Sequence, residues 1–126
     1  MGKYKGYVAF FYCQDDVNLE VGKKEFRLKK GYYAYVGSCG VHCDKRISRH
    51  MSEKKEKKHW HVDYLSSTCT PLGVLILPIP EKEIVRTLAY LPGIGGFGNT
   101  DDKESFTHLF CITVEEVIRR LADCKI

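Results

Sequence analysis

The distribution of apolar and polar residues indicates that the chain begins with β-strands. Residues 5–13 alternate weakly and are rich in Tyr, Val and Phe, which predicts a strand. Residues 19–28 predict a second strand, interrupted at residues 22–24, and residues 31–36 predict a third. The polar residues 15–18 predict a turn, and therefore a hairpin between the first two strands.

The middle of the chain shows first a helical and then an extended pattern. Asp44 can cap a helix that runs to about residue 57, and Ile47 and Met51, four residues apart, mark its inner face. Residues 59–64 alternate strictly between polar and apolar side chains, which predicts a fourth strand or an extended segment.

Two helices are predicted in the second half. Residues 72–77 form a short apolar run typical of a strand, and residues 81–91 predict a helix whose inner face also includes Glu81. A Gly-rich and polar loop follows, and then the apolar residues 109–112. Thr113 begins a capping-box motif that predicts the last helix. The apolar stripes of the two helices are Ile84, Val85 and Leu88 in the first, and Val117, Ile118 and Leu121 in the second.

The size and composition favour one domain over residues 1–126, and the order of the predicted strands and helices favours the α+β class. The chain has 126 residues, of which 44% are hydrophobic and 29% charged, as in an ordinary globular domain. The longest apolar run, residues 72–79, is far shorter than the about 20 residues that cross a bilayer, so we expect no membrane contact. No export signal is recognised at the amino terminus, which predicts a cytoplasmic protein.

The six cysteines are therefore expected to be free thiols, because the cytosol is reducing. Structural zinc is the less favoured alternative: Cys39, His42 and Cys43 have ligand spacing, but the remaining cysteines are scattered singly. A Cys39 nucleophile near His42 is a further alternative, although nothing in the sequence indicates an oxyanion hole.

The positive charge is concentrated in one segment. Residues 44–61 contain seven Lys or Arg and three Asp or Glu residues, which accounts for the whole net charge of +4. Such a surface is suited to phosphates, whereas a charge run by itself is more often a solvated helix. The basic residues expected to bind nucleic acid are Lys45, Arg49, Lys54, Lys55, Lys57 and Lys58.

Residues 93–98 match the spacing of a dinucleotide-binding glycine motif but not its context. That motif has to leave a strand and open a helix, whereas here a helix precedes it and a polar loop follows. The sequence therefore predicts a loop at this position.

A more informative constellation combines Tyr7 and Tyr35 on two predicted strands with Arg46 and His50, one turn apart on the predicted helix. None of these residues indicates a function by itself, because tyrosines on strands usually pack in the core and such helical pairs are usually solvated. In this order they resemble the GIY-YIG nuclease superfamily, specifically its small, largely uncharacterised branch sometimes fused to endonuclease III. The segments that carry the resemblance are residues 31–38, 46–50, 58–65, 96–98 and 108–110.

The resemblance implies a GIY-YIG-like α+β fold, with a central three-stranded antiparallel sheet flanked by helices and additional short strands. It also implies a metal-dependent endonuclease that hydrolyses phosphodiester bonds of DNA with Mg²⁺ or Mn²⁺, in repair or recombination. By the resemblance, Glu81 is the metal ligand, with Glu83 as the alternative. Arg46 stabilises charge on the phosphate, and Tyr35, or Tyr7 through it, helps to deprotonate the attacking water. By the same resemblance His50 is also catalytic, as a proton carrier or a phosphate donor, and His59, His61 and Asn99 are assisting residues.

The chain departs from that branch at two places. Lys5 occupies the position of the first glycine of the signature, and residues 101–104 are acidic where relatives of this branch often carry cysteines. Two other functions remain open: a non-catalytic nucleic-acid-binding module on the same fold, and a hydrolase directed at RNA. The small size leaves little room for a recognition domain, so a DNA-repair partner or a shape-selective substrate is expected.

Overall fold

The computed structural model describes residues 5–21, 23–39, 45, 47–48, 64–65, 68–89, 91–95, 97 and 107–122. The strands among these residues are β1 (Gly6–Cys13), β2 (Val17–Val21), β3 (Lys24–Leu28), β4 (Gly31–Ser38), β5 (Thr70–Leu77) and β6 (Leu109–Phe110). The helices with assigned bounds are α1 (Glu81–Leu88) and α2 (Val114–Ala122). The protein is therefore α+β, as the sequence predicts.

The main sheet has four antiparallel strands in the described part of the chain, in the order β5-β1-β4-β6. Three of these strands, β5, β1 and β4, have eight residues each, and β6 is a short addition to them. The extra strand β6 has only two residues and pairs Leu109 with Tyr35, a contact between distant parts of the chain. Such a short strand is formed by pairing with its neighbour, and local residue preferences do not reveal it.

The predicted hairpin between the first two strands is also wrong. Both edges of β1 are occupied, one by β4 and the other by β5, so β1 has no edge left for β2. The predicted second strand is instead two strands, β2 and β3, which pair with each other across the predicted interruption. The polar turn after β1 is held by Asp16, whose carboxylate accepts a hydrogen bond from the Lys30 amide at 2.8 Å.

The sheet separates two hydrophobic clusters. We call the side with Tyr7, Ala9, Tyr33 and Tyr35 the tyrosine face; it is covered by the apolar residues of the β2–β3 hairpin. We call the opposite side, with Val8, Phe10, Ala34 and Val36, the helix face, because it packs on α1 and α2. Burial of β1 on both faces explains its weak alternation, since a strand with two covered faces needs apolar residues at every position.

Both helices begin where the sequence predicts. The Thr113 hydroxyl accepts a hydrogen bond from the Glu116 amide at 3.4 Å, as a helix-capping residue does. Helix α1 ends at Leu88, three residues before the predicted end, and the chain turns there towards Pro92. The expected burial of Ile118 is wrong: it is 50% exposed, because Val117 and Leu121, four residues apart, already form the inner stripe of α2.

The middle segment is only partly described. Lys45, Ile47 and Ser48 have helical backbone, in agreement with the helix predicted to begin at residue 44. Tyr64 is helical as well, which contradicts the end of the strand predicted for residues 59–64. The remainder of that predicted strand lies outside the described residues.

The expectation of free thiols is wrong for three cysteines. A disulfide joins Cys13, at the end of β1, to Cys69, immediately before β5, and Cys39 is disulfide-bonded as well. Cys111 is a free thiol. The pairing of Cys13 with Cys69 follows from the antiparallel packing of β5 on β1, which brings residues 56 positions apart in the sequence into contact.

Across the ranges that the structure describes, no helix has the length and hydropathy needed to cross a membrane.

Candidate functional site

Tyr7 and Tyr35 lie on adjacent strands and on the same face of the sheet. In the β1–β4 pairing Tyr7 is opposite Gly37 and Ala9 is opposite Tyr35, so the two tyrosines are diagonal neighbours on the tyrosine face. Tyr7 is 2% exposed and Tyr35 is 7% exposed. The sequence predicted that these two phenols come together, and the register of β1 and β4 places them so.

Gly37 provides the space that Tyr7 occupies. A β-carbon on Gly37 would lie 2.3 Å from both Cζ and Oη of the Tyr7 ring, which is far closer than atoms approach in proteins. The glycine that ends the Tyr35-Val36-Gly37 segment is therefore needed because the ring of Tyr7 lies directly on its backbone.

Tyr35 is held from another direction by Phe97. The two rings meet edge to face, with centroids 6.1 Å apart and an interplanar angle of 82°. Phe97 in turn packs edge-on against Phe26 of the β2–β3 hairpin at 5.0 Å. The tyrosine face is thus closed by an aromatic chain that runs from β4 to the hairpin.

Glu81 lies at the same end of the sheet as Tyr7, but on the helix that packs on the other face. The start of α1 rests on Gly6, where a β-carbon would lie 2.6 Å from the Ile79 carbonyl oxygen and 3.1 Å from the Glu81 amide nitrogen. The dipeptide Gly6-Tyr7 therefore touches the start of α1 through its glycine and lies on Gly37 through its tyrosine. This junction brings β1, β4 and α1 together at one end of the sheet.

The structure distinguishes the two candidate carboxylates. The Glu83 side chain is 55% exposed and forms an ion pair with Arg86 at 2.8 Å on the outer side of α1. The Glu81 side chain is 27% exposed and faces the sheet. Both lie in the first helical turn, where the helix dipole stabilises negative charge. Glu81 is therefore the inward carboxylate, as the helical pattern predicted.

A histidine that the sequence reasoning did not select as a site residue lies next to Glu81. The Nδ1 atom of His108 is 3.9 Å from the Glu81 carboxylate, and the His108 side chain is 3% exposed. His108 and Glu81 are distant in the sequence and share no motif, so no spacing rule could have joined them. The single available signal was the position of His108 in a segment that resembles the nuclease branch.

His108 is held in place by its own backbone and by the preceding residue. The Thr107 hydroxyl donates to the Ile94 carbonyl and accepts a hydrogen bond from the Leu109 amide at 3.0 Å. Gly93 allows this packing, since a β-carbon there would lie 2.6 Å from the Thr107 methyl group. The described residues of the 93–98 glycine motif are not helical, so the prediction of a loop is confirmed for them.

A comparison with known protein families gives a match over almost the whole chain. The model of the family described as Domain of unknown function DUF123 matches residues 6–125. The chain belongs to the DUF123 family. Searches against curated proteins and against solved structures found no match. The match begins at Gly6 and includes every residue of the site described above, so the junction of β1, β4 and α1 belongs to the DUF123 domain itself.

Several predicted site residues of this DUF123 domain lie outside the described residues. They are Arg46, Arg49, His50, Lys54, Lys55, Lys57, Lys58, His59, His61 and Asn99, together with the acidic residues 101–104 and the alternative ligands His42 and Cys43. Of the predicted basic surface, Lys45 is described, and it is exposed on helical backbone. The roles of the residues outside the described ranges therefore remain predictions from the sequence.

Another polar pair of the DUF123 domain lies on the tyrosine face. Burial raises the pKa of Tyr33 to about 12, with a further contribution from the neighbouring Cys111. Burial also raises the pKa of the Cys111 thiol above its ordinary value. The Tyr33 hydroxyl donates a hydrogen bond to the Lys29 carbonyl at 2.6 Å. Both groups are therefore protonated at neutral pH and act as packing residues.

Proposed function

We propose that this DUF123 domain is a metal-dependent endonuclease that hydrolyses phosphodiester bonds of DNA, with a site of the GIY-YIG type. The observation that carries the proposal is the junction at Gly6-Tyr7. There Tyr7 lies on Gly37, diagonal to Tyr35 on the same face, while the adjacent Gly6 rests on the start of the helix that carries Glu81. The two phenols on the tyrosine face and the helix that carries the carboxylate thus come from three distant segments and meet at one end of the sheet.

The donor chemistry of Glu81 fits a divalent cation such as Mg²⁺ or Mn²⁺. Its carboxylate is partly open to solvent, and Mg²⁺ is usually bound by one or two carboxylates, with water and substrate phosphate as the other ligands. The described residues contain no group of three or more His, Cys, Asp or Glu side chains that could hold a metal ion. When bound, the cation supplies positive charge that polarises the phosphate and stabilises the leaving oxygen.

In this proposal the protein's own residues position the phosphate and move the proton. Arg46 holds two oxygens of the scissile phosphate, because a guanidinium presents paired donors. Tyr35, or Tyr7 through it, accepts the proton of the attacking water as the new oxygen–phosphorus bond forms. The bond from phosphorus to the sugar oxygen then breaks, and His50 supplies the proton that the leaving oxygen takes up.

The phenols need help to act as bases, since a tyrosine with its ordinary pKa near 10 is almost fully protonated at neutral pH. Positive charge nearby favours the phenolate. In the proposal that charge comes from Arg46 and from the cation on Glu81.

The second candidate function is a nucleic-acid-binding module without catalysis, and the burial of the tyrosines favours it. Tyr7 and Tyr35 are 2% and 7% exposed and belong to the hydrophobic cluster of the tyrosine face. Packing alone is enough to explain residues so placed. In this reading the basic segment binds phosphates and the fold is retained without hydrolysis.

The deciding experiment compares wild-type protein with Glu81→Gln and Glu83→Gln on supercoiled plasmid and on branched DNA, with and without Mg²⁺ or Mn²⁺. We expect metal-dependent nicking by the wild type and by Glu83→Gln, which alters an exposed, outward carboxylate of the same helical turn. Glu81→Gln is expected to bind DNA without nicking it. The same assay on structured RNA identifies an RNA-directed hydrolase.

DNA binding by the wild type without metal-dependent nicking would establish the binding module and refute the enzyme.

A further inference from the structure

We propose that His108 is a positioning residue that orients the Glu81 carboxylate. The inference rests on the proposed function, in which Glu81 binds a divalent cation. His108 does not contact substrate in this proposal and acts through Glu81 alone. The contact between the two side chains, and the backbone that holds His108, are the observations that carry it.

The contact between His108 and Glu81 is described by the distance between two atoms and by the exposure of the two side chains. Nδ1 of His108 is 3.9 Å from Oε1 of Glu81, which is longer than a hydrogen bond and within the range of an ion pair or of one bridging water. The His108 side chain is 3% exposed, whereas the Glu81 side chain is 27% exposed. The histidine is therefore far more buried than the carboxylate that it contacts.

The backbone of His108 is fixed to the strand that carries Tyr35. Its carbonyl oxygen accepts a hydrogen bond from the Val36 amide at 2.9 Å, and its amide donates to the Phe97 carbonyl at 3.0 Å. The next residue, Leu109, pairs with Tyr35 in the β4–β6 ladder. His108 thus links the carboxylate on α1 to the position of Tyr35 on β4.

A residue in this position controls how well a carboxylate binds metal. A glutamate side chain has several rotatable bonds, and fixing them before a ligand arrives reduces the entropy lost on binding. Residues that support a metal ligand from outside the coordination shell typically change metal affinity by about 10- to 100-fold when they are removed. The proposal therefore predicts an effect on metal affinity that exceeds any effect on folding.

The test uses two substitutions of similar size. His108→Asn keeps an N–H donor near the position of Nδ1, whereas His108→Leu removes the donor and retains an apolar side chain suited to burial. Thermal unfolding shows whether each variant is folded. Mn²⁺ binding is measured by calorimetry on the full chain, with Glu81→Gln as the variant that lacks the carboxylate ligand.

We expect His108→Leu to weaken Mn²⁺ binding by about 10- to 100-fold and His108→Asn to restore affinity close to that of the wild type. Equal Mn²⁺ affinity of folded His108→Leu and wild type would overturn the proposal. Nitrogen coupling to bound Mn²⁺ from ¹⁵N-labelled histidine, seen in the wild type and lost in His108→Leu, would also overturn it, because His108 would then be a ligand.

A measurement on the wild-type protein does not require any variant to fold. ¹⁵N NMR of the histidine ring reports which nitrogen carries hydrogen, and the proposal requires hydrogen on Nδ1, which faces the carboxylate. A lone pair on Nδ1 would repel the carboxylate and contradict the proposal.

The experiments distinguish a failure of the proposed function from a failure of the positioning role of His108. If the wild type binds no Mn²⁺, Glu81 is not a metal ligand, yet the ¹³C signal of its carboxyl group still reports its contact with His108. A shift of that signal in His108→Leu that returns in His108→Asn supports positioning without metal. An unchanged signal refutes it.

Discussion

The ring of Tyr7 occupies the space that a side chain on Gly37 would need, with Cζ and Oη each 2.3 Å from the position of a β-carbon there. Gly37 is directly opposite Tyr7 in the β1–β4 ladder. The pair fixes where the Tyr7 phenol lies, because the ring is 2% exposed and lies in the hydrophobic cluster of the tyrosine face, where side chains are closely packed. A tyrosine on one strand and a glycine on the next thus form one structural unit.

Gly37→Ala is therefore expected to destabilise the protein by about 1–3 kcal/mol, the usual cost of forcing an extra methyl group into a packed core. The matched control is Gly73→Ala on β5, where a β-carbon meets nothing within 4 Å. That substitution should be neutral or stabilise by about 0.5–1 kcal/mol, since alanine loses less backbone entropy than glycine. Urea unfolding followed by fluorescence measures both.

A double-mutant cycle assigns the Gly37→Ala effect to the Tyr7 ring. In the background of Tyr7→Leu the same substitution should cost less, because the ring is absent. An equal cost in both backgrounds would contradict the packing described here.

Removing the disulfide between Cys13 and Cys69 is expected to lower the free energy of unfolding by about 4 kcal/mol. The bond closes a loop between residues 56 positions apart, and a loop of that length restricts the unfolded chain by about this amount. The variant is Cys13→Ala combined with Cys69→Ala, which leaves Cys39 and Cys111 unchanged. Chemical unfolding without reductant gives the difference. Peptide mapping that finds Cys13 and Cys69 unlinked in the purified protein would show that the bond does not form.

The raised pKa of Tyr33 leads us to expect a loss of stability at high pH. Burial raises its folded-state pKa to about 12 from the ordinary value of 10.0. The raised pKa means that the contribution of Tyr33 to stability is fully present below pH 10 and is lost as the pH rises towards 12. The stability difference between wild type and Tyr33→Phe should therefore fall over this range. Absorbance titration should show one late-ionising tyrosine fewer in Tyr33→Phe than in the wild type, and equal numbers would contradict the assignment.

The basic segment predicts a salt dependence of DNA binding that specific lysines control. Four lysines of this segment are changed to Gln in one variant: Lys54, Lys55, Lys57 and Lys58. Each lost phosphate contact should reduce the slope of log affinity against log salt by about 0.9. The control changes four exposed lysines in and beside the β2–β3 hairpin: Lys23, Lys24, Lys29 and Lys30. It removes the same charge, and an equal fall in slope would refute a localised DNA surface.

Substitutions at two neighbouring residues of α2, Val117 and Ile118, are expected to differ in their effect on stability. Ile118→Ala should change stability by less than about 0.5 kcal/mol, because Ile118 is 50% exposed. Val117→Ala should cost about 1 kcal/mol or more, since Val117 is fully buried between α2 and the sheet. Thermal unfolding of the two variants side by side measures the difference. Equal costs would show that both residues are buried.

Local signals in the sequence predicted the elements that local physics controls. The β-rich composition of β1 and β4 and the apolar stripe of α1 placed these elements within a few residues. The capping box at Thr113 gave the start of α2. Helical spacing identified Glu81 as the inward carboxylate. The order of Tyr7 and Tyr35 along the chain identified them as candidate site residues.

Other features were decided by the tertiary structure, because they depend on pairs of residues far apart in the sequence. The partners of β1, the two-residue strand β6 and the disulfide of Cys13 all follow from how strands meet, and many pairings satisfy the same local preferences. The contact of His108 with Glu81 arises in the same way, where α1 and the end of β4 converge. Residue type sets what a segment can form, whereas the burial of both faces of one sheet selects which segments come together.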